Sequence, residues 1–232
     1  MKTMTVCNVV LANGDFPRHK KAIEHLMNAQ VLYCCDGAIM QLAEWATEHA
    51  ILIAGKQIYV VGDGDSLKKS QLSTLKARFS EWHCSMDTHF ESEQDYNDLT
   101  KNIRYAAARG EKELVILGAT GQREDHTLGN ISLLATYHQM GIRVRMVTDY
   151  GTFQMVNKDT RFESFPRQQV SIISLQPSTR ISAQGLQYPI DKLQFSYWWQ
   201  GTLNAALSEQ FSLHFDTPGE LLVFQTHEAK EA

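Results

Sequence analysis

Short apolar runs alternate with helical patterns over the first ~150 residues, and this alternation is the strongest constraint on the fold. The runs are too short for typical helices and are rich in β-branched residues, so they predict strands. They cover residues 6–12, 31–35, 58–61, 114–117 and 144–147. Strands that alternate with helices form a layered domain around a mostly parallel sheet. The sequence therefore predicts an α/β domain with a Rossmann-like sheet over residues 1–149.

Two segments between these runs have the spacing of amphipathic helices. Residues 94–110 and 124–141 carry apolar side chains at intervals of three and four residues. They end at Gly110 and Gly141, and glycine is a common helix stop. We therefore predict a helix over each segment.

The pattern changes after about residue 150. Four of the five prolines lie beyond residue 160, and the apolar runs there are short and regularly spaced. Such a pattern predicts an all-β, sandwich-like domain over residues 150–232. Trp198 and Trp199 fall in one of these runs, FSYWWQGTL, where we expect core packing, with at most one of them facing a ligand.

Composition excludes several classes of function. The net charge of −4 leaves no basic excess to neutralise the phosphates of a nucleic acid. No apolar run approaches the length of a membrane span, and the first residues do not resemble a signal peptide. The four cysteines form no CxxC pair and are expected to be free thiols. We therefore expect a cytoplasmic protein that binds neither nucleic acid nor membrane.

Acidic side chains follow several of the predicted strands. Asp36 follows the second strand, and Asp63 and Asp65 follow the third in the turn GDGDS. Asp125 lies after the fourth strand, in GATGQREDH. Because ligands bind at the carboxyl edge of parallel sheets, we expect these carboxylates to lie near one another.

A second acidic group lies in ESEQDYNDLTK, where Asp95 and Asp98 are three residues apart and are expected to share a helix face. Two carboxylates ~4 Å apart repel each other by roughly 4 kcal/mol at an effective dielectric near 20. A cation would offset that repulsion, and hard oxygen ligands without a histidine or thiol pair favour magnesium. Magnesium in proteins usually bridges to substrate phosphates. The sequence therefore predicts a nucleotide–magnesium site.

The phosphate-binding element is not of the Walker type, because GxxxxGK[ST] is absent from the sequence. GATGQR offers a flexible backbone and the guanidinium of Arg123, which suits phosphate oxygens. Lys101 lies one helical turn after Asp98, where it could contact a phosphate or pair with Asp98. The sequence leaves both roles of this lysine open.

Five ordered motifs carry a family resemblance: LANGDFP, DGA, GDGDS, EQDYNDLTK and GATGQREDHTLGN. Together they closely resemble the thiamin pyrophosphokinases over most of residues 11–131. The resemblance implies an N-terminal α/β domain, a C-terminal β-sandwich and a homodimer with thiamin at the subunit interface. It also implies a reaction in which ATP and thiamin give thiamin diphosphate and AMP, with magnesium as the cofactor.

The resemblance also implies roles for individual residues. Asp63, Asp65, Asp95 and Asp98 resemble the magnesium and phosphate-handling acids. Asn13, Asp36, Lys101, Arg123 and Asp125 resemble positions of the nucleotide site, and Tyr188 and Asn204 resemble positions that contact thiamin. Tyr188 stands where the family often has tryptophan, and GTLN replaces a serine-rich stretch before Asn204.

The chemistry requires positioning and charge neutralisation more than covalent catalysis. We expect Arg123 to help neutralise the phosphates, and Asp98 or Asp65 to accept the proton of the acceptor hydroxyl. Two alternatives stay open at this point: a pyrophosphokinase for another heterocyclic alcohol, such as a hydroxymethyl pterin, and a regulatory protein that binds nucleotide or thiamin without turnover.

Overall fold

The computed structural model describes residues 7–230. Within that range the chain forms two compact units, with the boundary between Asp149 and Tyr150. No helix in residues 7–230 has both the length and the apolar character needed to cross a membrane.

Six parallel strands form the sheet of the first unit, in the order β6-β5-β1-β2-β3-β4. Their bounds are β1 Asn8–Leu11, β2 Val31–Cys35, β3 Gln57–Gly62, β4 Ser85–Phe90, β5 Glu113–Leu117 and β6 Arg143–Val147. The strands β1, β2, β3 and β5 are apolar and largely buried, as strands covered on both faces of a parallel sheet should be. The predicted α/β unit with a parallel sheet is therefore confirmed, while the Rossmann-like label stays a prediction.

The edge strand β4 was not among the strands predicted from the sequence. Its residues, SMDTHF, are mostly polar, and only Met86 is buried. An edge strand has a neighbour on one side only and does not need the continuous apolar run of a central strand.

Five helices connect these strands: α1 Lys20–Asn28, α2 Ala38–Ile53, α3 Lys69–Glu81, α4 Asp98–Ala108 and α5 Glu124–Gln139. The helix α4 begins where the side chain of Asn97 accepts a hydrogen bond from the backbone N–H of Thr100. It packs against β1, β2 and β3 through its buried side chains Leu99, Ile103 and Ala106.

The strand order reverses between β1 and β5, which are neighbours in the sheet. The segments after these strands leave the same edge and bond to each other: the backbone N–H of Gly14 donates to the carbonyl oxygen of Gly118 at 2.6 Å, and that of Asp15 to Thr120 at 2.9 Å. A Cβ at Gly14 would lie 2.5 Å from two carbonyl oxygens, so this close approach requires glycine. Open parallel sheets bind ligands at such a reversal.

The second unit contains eight strands and two antiparallel sheets, ordered β12-β9-β14-β7 and β11-β10-β13-β8, within the described residues. Their bounds are β7 Gly151–Val156, β8 Thr160–Glu163, β9 Gln168–Ser174, β10 Arg180–Gln184, β11 Ile190–Gln194, β12 Gly201–Ala205, β13 Gln210–Phe215 and β14 Leu221–Ala229. Both sheets contribute to one core, which includes Ile172 and Val223. The rings of Phe162 and Phe211 stack in this core with their centroids 4.6 Å apart. The predicted antiparallel β-rich region is confirmed, and its sandwich-like label stays a prediction.

Candidate active site

A cleft of about 520 Å³ opens at the carboxyl edge of the parallel sheet. Asn13 and Gly14 line it after β1, and Gly121, Gln122 and Arg123 line it after β5. Its lining also includes Cys35, Asp63, the segment that leads into α4 and side chains at the start of α4 and of α5. The cleft therefore lies where the strand order reverses, as expected for a ligand site in this kind of sheet.

Three carboxylates meet at the cleft. Asp36 follows β2, Asp63 follows β3 and Asp98 is the first residue of α4. One oxygen from each lies within 4.8 Å of the others, which is compatible with binding one metal ion. We call these three residues the acidic triad.

Backbone N–H groups fix two members of the acidic triad. Asp36 is only 2% exposed, and its carboxylate accepts hydrogen bonds from the N–H of Gly37 at 2.7 Å and of Ser66 at 3.4 Å. Asp63 accepts from the N–H of Asp65 at 3.1 Å, and this bond lowers the pKa of Asp63. Both carboxylates therefore have their orientation set by the turns that carry them.

Asp98 differs electrostatically from the other two. Burial, together with the charges of Asp36 and Asp63, raises the pKa of Asp98 to about 6, against the opposing effect of Lys101. The Lys101 Nζ lies 3.6 Å from a carboxylate oxygen of Asp98, and this lysine is only 2% exposed. Lys101 also lines the cleft, so its pairing with Asp98 is confirmed while its contact with a phosphate stays a prediction.

Asparagines hold the start of α4 against the loop after β5. The side-chain amide of Asn97 donates to that of Asn130 at 3.3 Å, and Asn130 donates to the carbonyl oxygen of Ala119 at 2.9 Å. The cap of α4, the helix α5 and the loop therefore form one hydrogen-bonded unit beside the acidic triad.

Arg123 lines the cleft, and its partner Asp125 lies beside it at the surface. Their side chains are 71% and 63% exposed and form an ion pair at 2.7 Å. The hydrogen bond from Arg123 lowers the pKa of Asp125. The guanidinium therefore lines the cleft while its partner is a neighbouring surface carboxylate.

The structure corrects the prediction that Asp95 and Asp98 share a helix face. The helix α4 begins at Asp98, and Asn97 has extended backbone angles, so Asp95 lies before the helix. The sequence could not fix this boundary, because either acid can occupy a first helical turn. Asp95 is exposed and lies outside the acidic triad.

Asp65 also lies outside the acidic triad. It is exposed, its N–H donates to Asp63, and its carboxylate accepts from the hydroxyl of Ser66 at 3.1 Å. Asp36, predicted for the nucleotide site, instead joins Asp63 and Asp98. The roles of Asp65 and Asp95 as metal ligands stay predictions.

Tyr188 and Asn204 contact each other in the second unit. The amide of Asn204 accepts from the N–H of Tyr188 at 3.0 Å and donates to its carbonyl oxygen at 2.8 Å. Asn204 is buried, whereas Tyr188 is 59% exposed. The asparagine therefore holds the backbone from which the tyrosine ring projects.

The expected core packing of Trp198 and Trp199 is wrong. Both side chains are exposed, because they lie in a turn before β12 and not within a strand. The rings of Tyr197 and Trp199 stack at 5.7 Å. Tyr197, Trp198 and Trp199 form an exposed aromatic patch.

The sequence analysis did not single out several residues of the cleft. They are mainly polar and lie within or beside the quoted motifs: Gln94, Tyr96, Asn97, Gln122, His126, Thr127 and Asn130. Their motifs identified the region, but nothing in the spacing showed which side chains face the cleft.

Comparison with known proteins gives two family matches that together span most of the chain. Residues 23–146 match the model "Thiamin pyrophosphokinase, catalytic domain", and residues 151–224 match "Thiamin pyrophosphokinase, substrate-binding domain". The chain belongs to the thiamin pyrophosphokinase family. The family predicted from the five sequence motifs is thereby confirmed.

Individual relatives of the family are distant in sequence. A rice thiamine pyrophosphokinase is 24% identical over 204 residues, which cover 82% of this chain and 75% of that protein. A Bacillus subtilis thiamine pyrophosphokinase is 29% identical over 94 residues, or 40% of this chain and only 42% of the relative's length. The crystal structure of thiamine pyrophosphokinase from Bacillus subtilis superposes with a TM-score of 0.73 at 18% identity, covering 96% of this chain and 99% of that one. This structural similarity concerns the fold.

Proposed function

We propose that this protein is a thiamin pyrophosphokinase, a transferase that moves the β,γ-pyrophosphoryl group of ATP to the hydroxyl of thiamin, giving thiamin diphosphate and AMP. The observation that carries the proposal is the acidic triad in a cleft at the strand-order reversal, within a chain whose two regions both match this family.

The acidic triad has the chemistry that magnesium requires. Its donors are three carboxylates and include no thiolate or imidazole, and such hard oxygen donors suit magnesium and calcium. Burial and the charges of Asp36 and Asp63 together raise the pKa of Asp98 despite the nearby Lys101, and a bound cation would offset the charge repulsion. Asp36, Asp63 and Asp98 would hold the ion, which when bound would neutralise phosphate charge.

The remaining polar residues of the cleft have distinct tasks in this proposal. Asn13 and the backbone after β5 contact the nucleotide, and Arg123 moves from Asp125 to the phosphate oxygens. Lys101 supplies a buried positive charge beside the reacting phosphates. Asp98 accepts the proton of the attacking hydroxyl in this proposal. Asp65 is the alternative base.

The acceptor site lies in the second unit in this proposal. The exposed ring of Tyr188 offers an aromatic face for the cationic thiazolium of thiamin, and Asn204 holds the backbone that carries this ring. The exposed aromatic patch supports association of two copies into a homodimer. A cytoplasmic location is part of the same proposal.

The reaction is tested by incubating the purified protein with ATP, magnesium and thiamin and separating the products by chromatography. We expect AMP and thiamin diphosphate in equal amounts, and neither product when magnesium or thiamin is omitted. AMP formation with a hydroxymethyl pterin but not with thiamin would contradict thiamin as the acceptor and would still support the ATP site. Nucleotide binding without product for any acceptor would favour a regulatory protein.

Replacing Arg123 by alanine should lower kcat by about 10²-fold or more, a loss typical of removing one preorganised electrostatic contact in a transition state. The melting temperature should stay unchanged, because the side chain is 71% exposed and its ion pair lies at the surface. Arg123→Lys is the matched control and should recover part of the activity. A normal kcat in the folded alanine variant would show that Arg123 does not contribute to catalysis.

A further inference from the structure

Asn102 is a fully buried amide on α4 that the proposed reaction does not use. Its side-chain nitrogen donates to the carbonyl oxygens of Val61 and Asp98, both at 2.8 Å. It also lies 3.5 Å from the Sγ of Cys35. Both carbonyl oxygens can only accept, so the nitrogen of the amide must face them.

The two carbonyls belong to the segments that carry the acidic triad. Val61 is two residues before Asp63 at the end of β3, and the second carbonyl is that of Asp98 itself at the start of α4. One buried amide therefore joins the strand end below one carboxylate to the helix start that bears another.

The other end of the same amide indicates why asparagine occupies this position. The Oδ1 of Asn102 is buried and has no hydrogen-bond partner among the described residues. A buried acceptor without a partner costs free energy, and an apolar side chain would avoid that cost. The compensating feature is the pair of hydrogen bonds that its nitrogen donates.

We propose that Asn102 is a positioning residue that sets the separation of Asp63 and Asp98 and thereby the affinity of the acidic triad for a divalent cation. This inference rests on the proposed function, because it assumes that the triad binds the metal–nucleotide complex. Asn102 does not touch the cation in this arrangement. It acts through the two backbone segments to which it is bonded.

The test measures Mn²⁺ binding by electron paramagnetic resonance in the presence of a non-hydrolysable ATP analogue and without acceptor, so that no turnover is needed. Asn102→Leu, of similar size but without the donors, should bind Mn²⁺ about 10-fold more weakly, as is typical when the support of a metal ligand is lost. Tyr137→Phe is the matched control. It removes the 2.9 Å hydrogen bond between Tyr137 and Thr100, which also ties α4 to its surroundings, and should leave Mn²⁺ affinity within about twofold of wild type.

A folded Asn102→Leu protein with wild-type Mn²⁺ affinity would overturn the positioning role while leaving the metal site intact. Equal weakening in Asn102→Leu and Tyr137→Phe would also overturn it, since general loosening of α4 would then be the cause. Absence of Mn²⁺ binding in the wild type would overturn the metal site and this inference together. Should Asn102→Leu fail to fold, Asn102→Ala, which also lacks the donors, provides the same comparison, with the same loss of about 10-fold expected.

Discussion

Without metal, the Asp98→Asn variant should be more stable than wild type above pH 6. With magnesium, ATP and thiamin present, its turnover should fall by at least about 10²–10³-fold. The pKa of Asp98 is about 6 in the folded protein against an ordinary value of 3.8, so the folded state binds more protons between those pH values. The free energy of unfolding of wild type therefore falls as the pH rises from about 4 to 6. Above pH 6 the penalty is fully present, and asparagine removes it.

The expected gain is on the order of 1–2 kcal/mol, after allowing for solvent screening of a side chain that is 30% exposed. Urea unfolding of both proteins at pH 4 and pH 8, in the presence of a chelator, measures it. The gain should be present at pH 8 and absent at pH 4. Asp159→Asn is the control: hydrogen bonds from the N–H of Phe215 and from His214 lower the pKa of Asp159, so its replacement should give no gain at pH 8. A loss of stability in Asp98→Asn at pH 8 would contradict the electrostatic description of the acidic triad.

Replacing Lys101 by methionine should have the opposite effect on stability. Lys101 is buried beside Asp98, and its removal leaves the three carboxylates without this compensating charge. Removing one partner of a buried ion pair is strongly destabilising, and we expect a loss of about 2 kcal/mol at pH 8 because Asp98 is partly exposed. Magnesium should stabilise Lys101→Met more than it stabilises wild type, because the cation then offsets more of the repulsion.

A second buried lysine provides the control. Lys56 donates to the carbonyl oxygens of Met27 and Ala29, away from the acidic triad. Lys56→Met should also destabilise the protein, but magnesium should stabilise this variant no more than it stabilises wild type. Thermal unfolding of the three proteins with and without magnesium makes the comparison. The same magnesium effect in all three would show that Lys101 does not compensate the triad.

Sequence motifs located the site more reliably than they assigned its residues. Asp63 and Asp98 were predicted to lie together, and they do, because a parallel sheet brings its strand ends to one edge. Asp36 was predicted at the same edge and assigned to the nucleotide, although its carboxylate lies with the other two. The direction of the Asp36 side chain is set by hydrogen bonds from the backbone N–H groups of Gly37 and Ser66, which lie in two different turns.

Helix boundaries and hydrogen-bond partners that are distant in the chain were the least predictable features. The apolar spacing of α4 is compatible with a helix that begins at either Asp95 or Asp98. The cap formed by Asn97 places the start of the helix at Asp98. That cap is in turn held by Asn130, 33 residues away in the chain. The same limit applies to Asn102, whose partner Val61 is 41 residues away.

The sequence by itself determined the parallel α/β unit, the antiparallel β-rich unit, the family and the acidic edge of the sheet. These follow from local periodicity and from short motifs, which depend on neighbouring residues in the chain. Only the tertiary structure decided which three carboxylates meet, which lysine is buried beside them and which amide ties their segments together. Those features depend on distances between residues far apart in the chain, and packing of α4 across β1, β2 and β3 sets those distances.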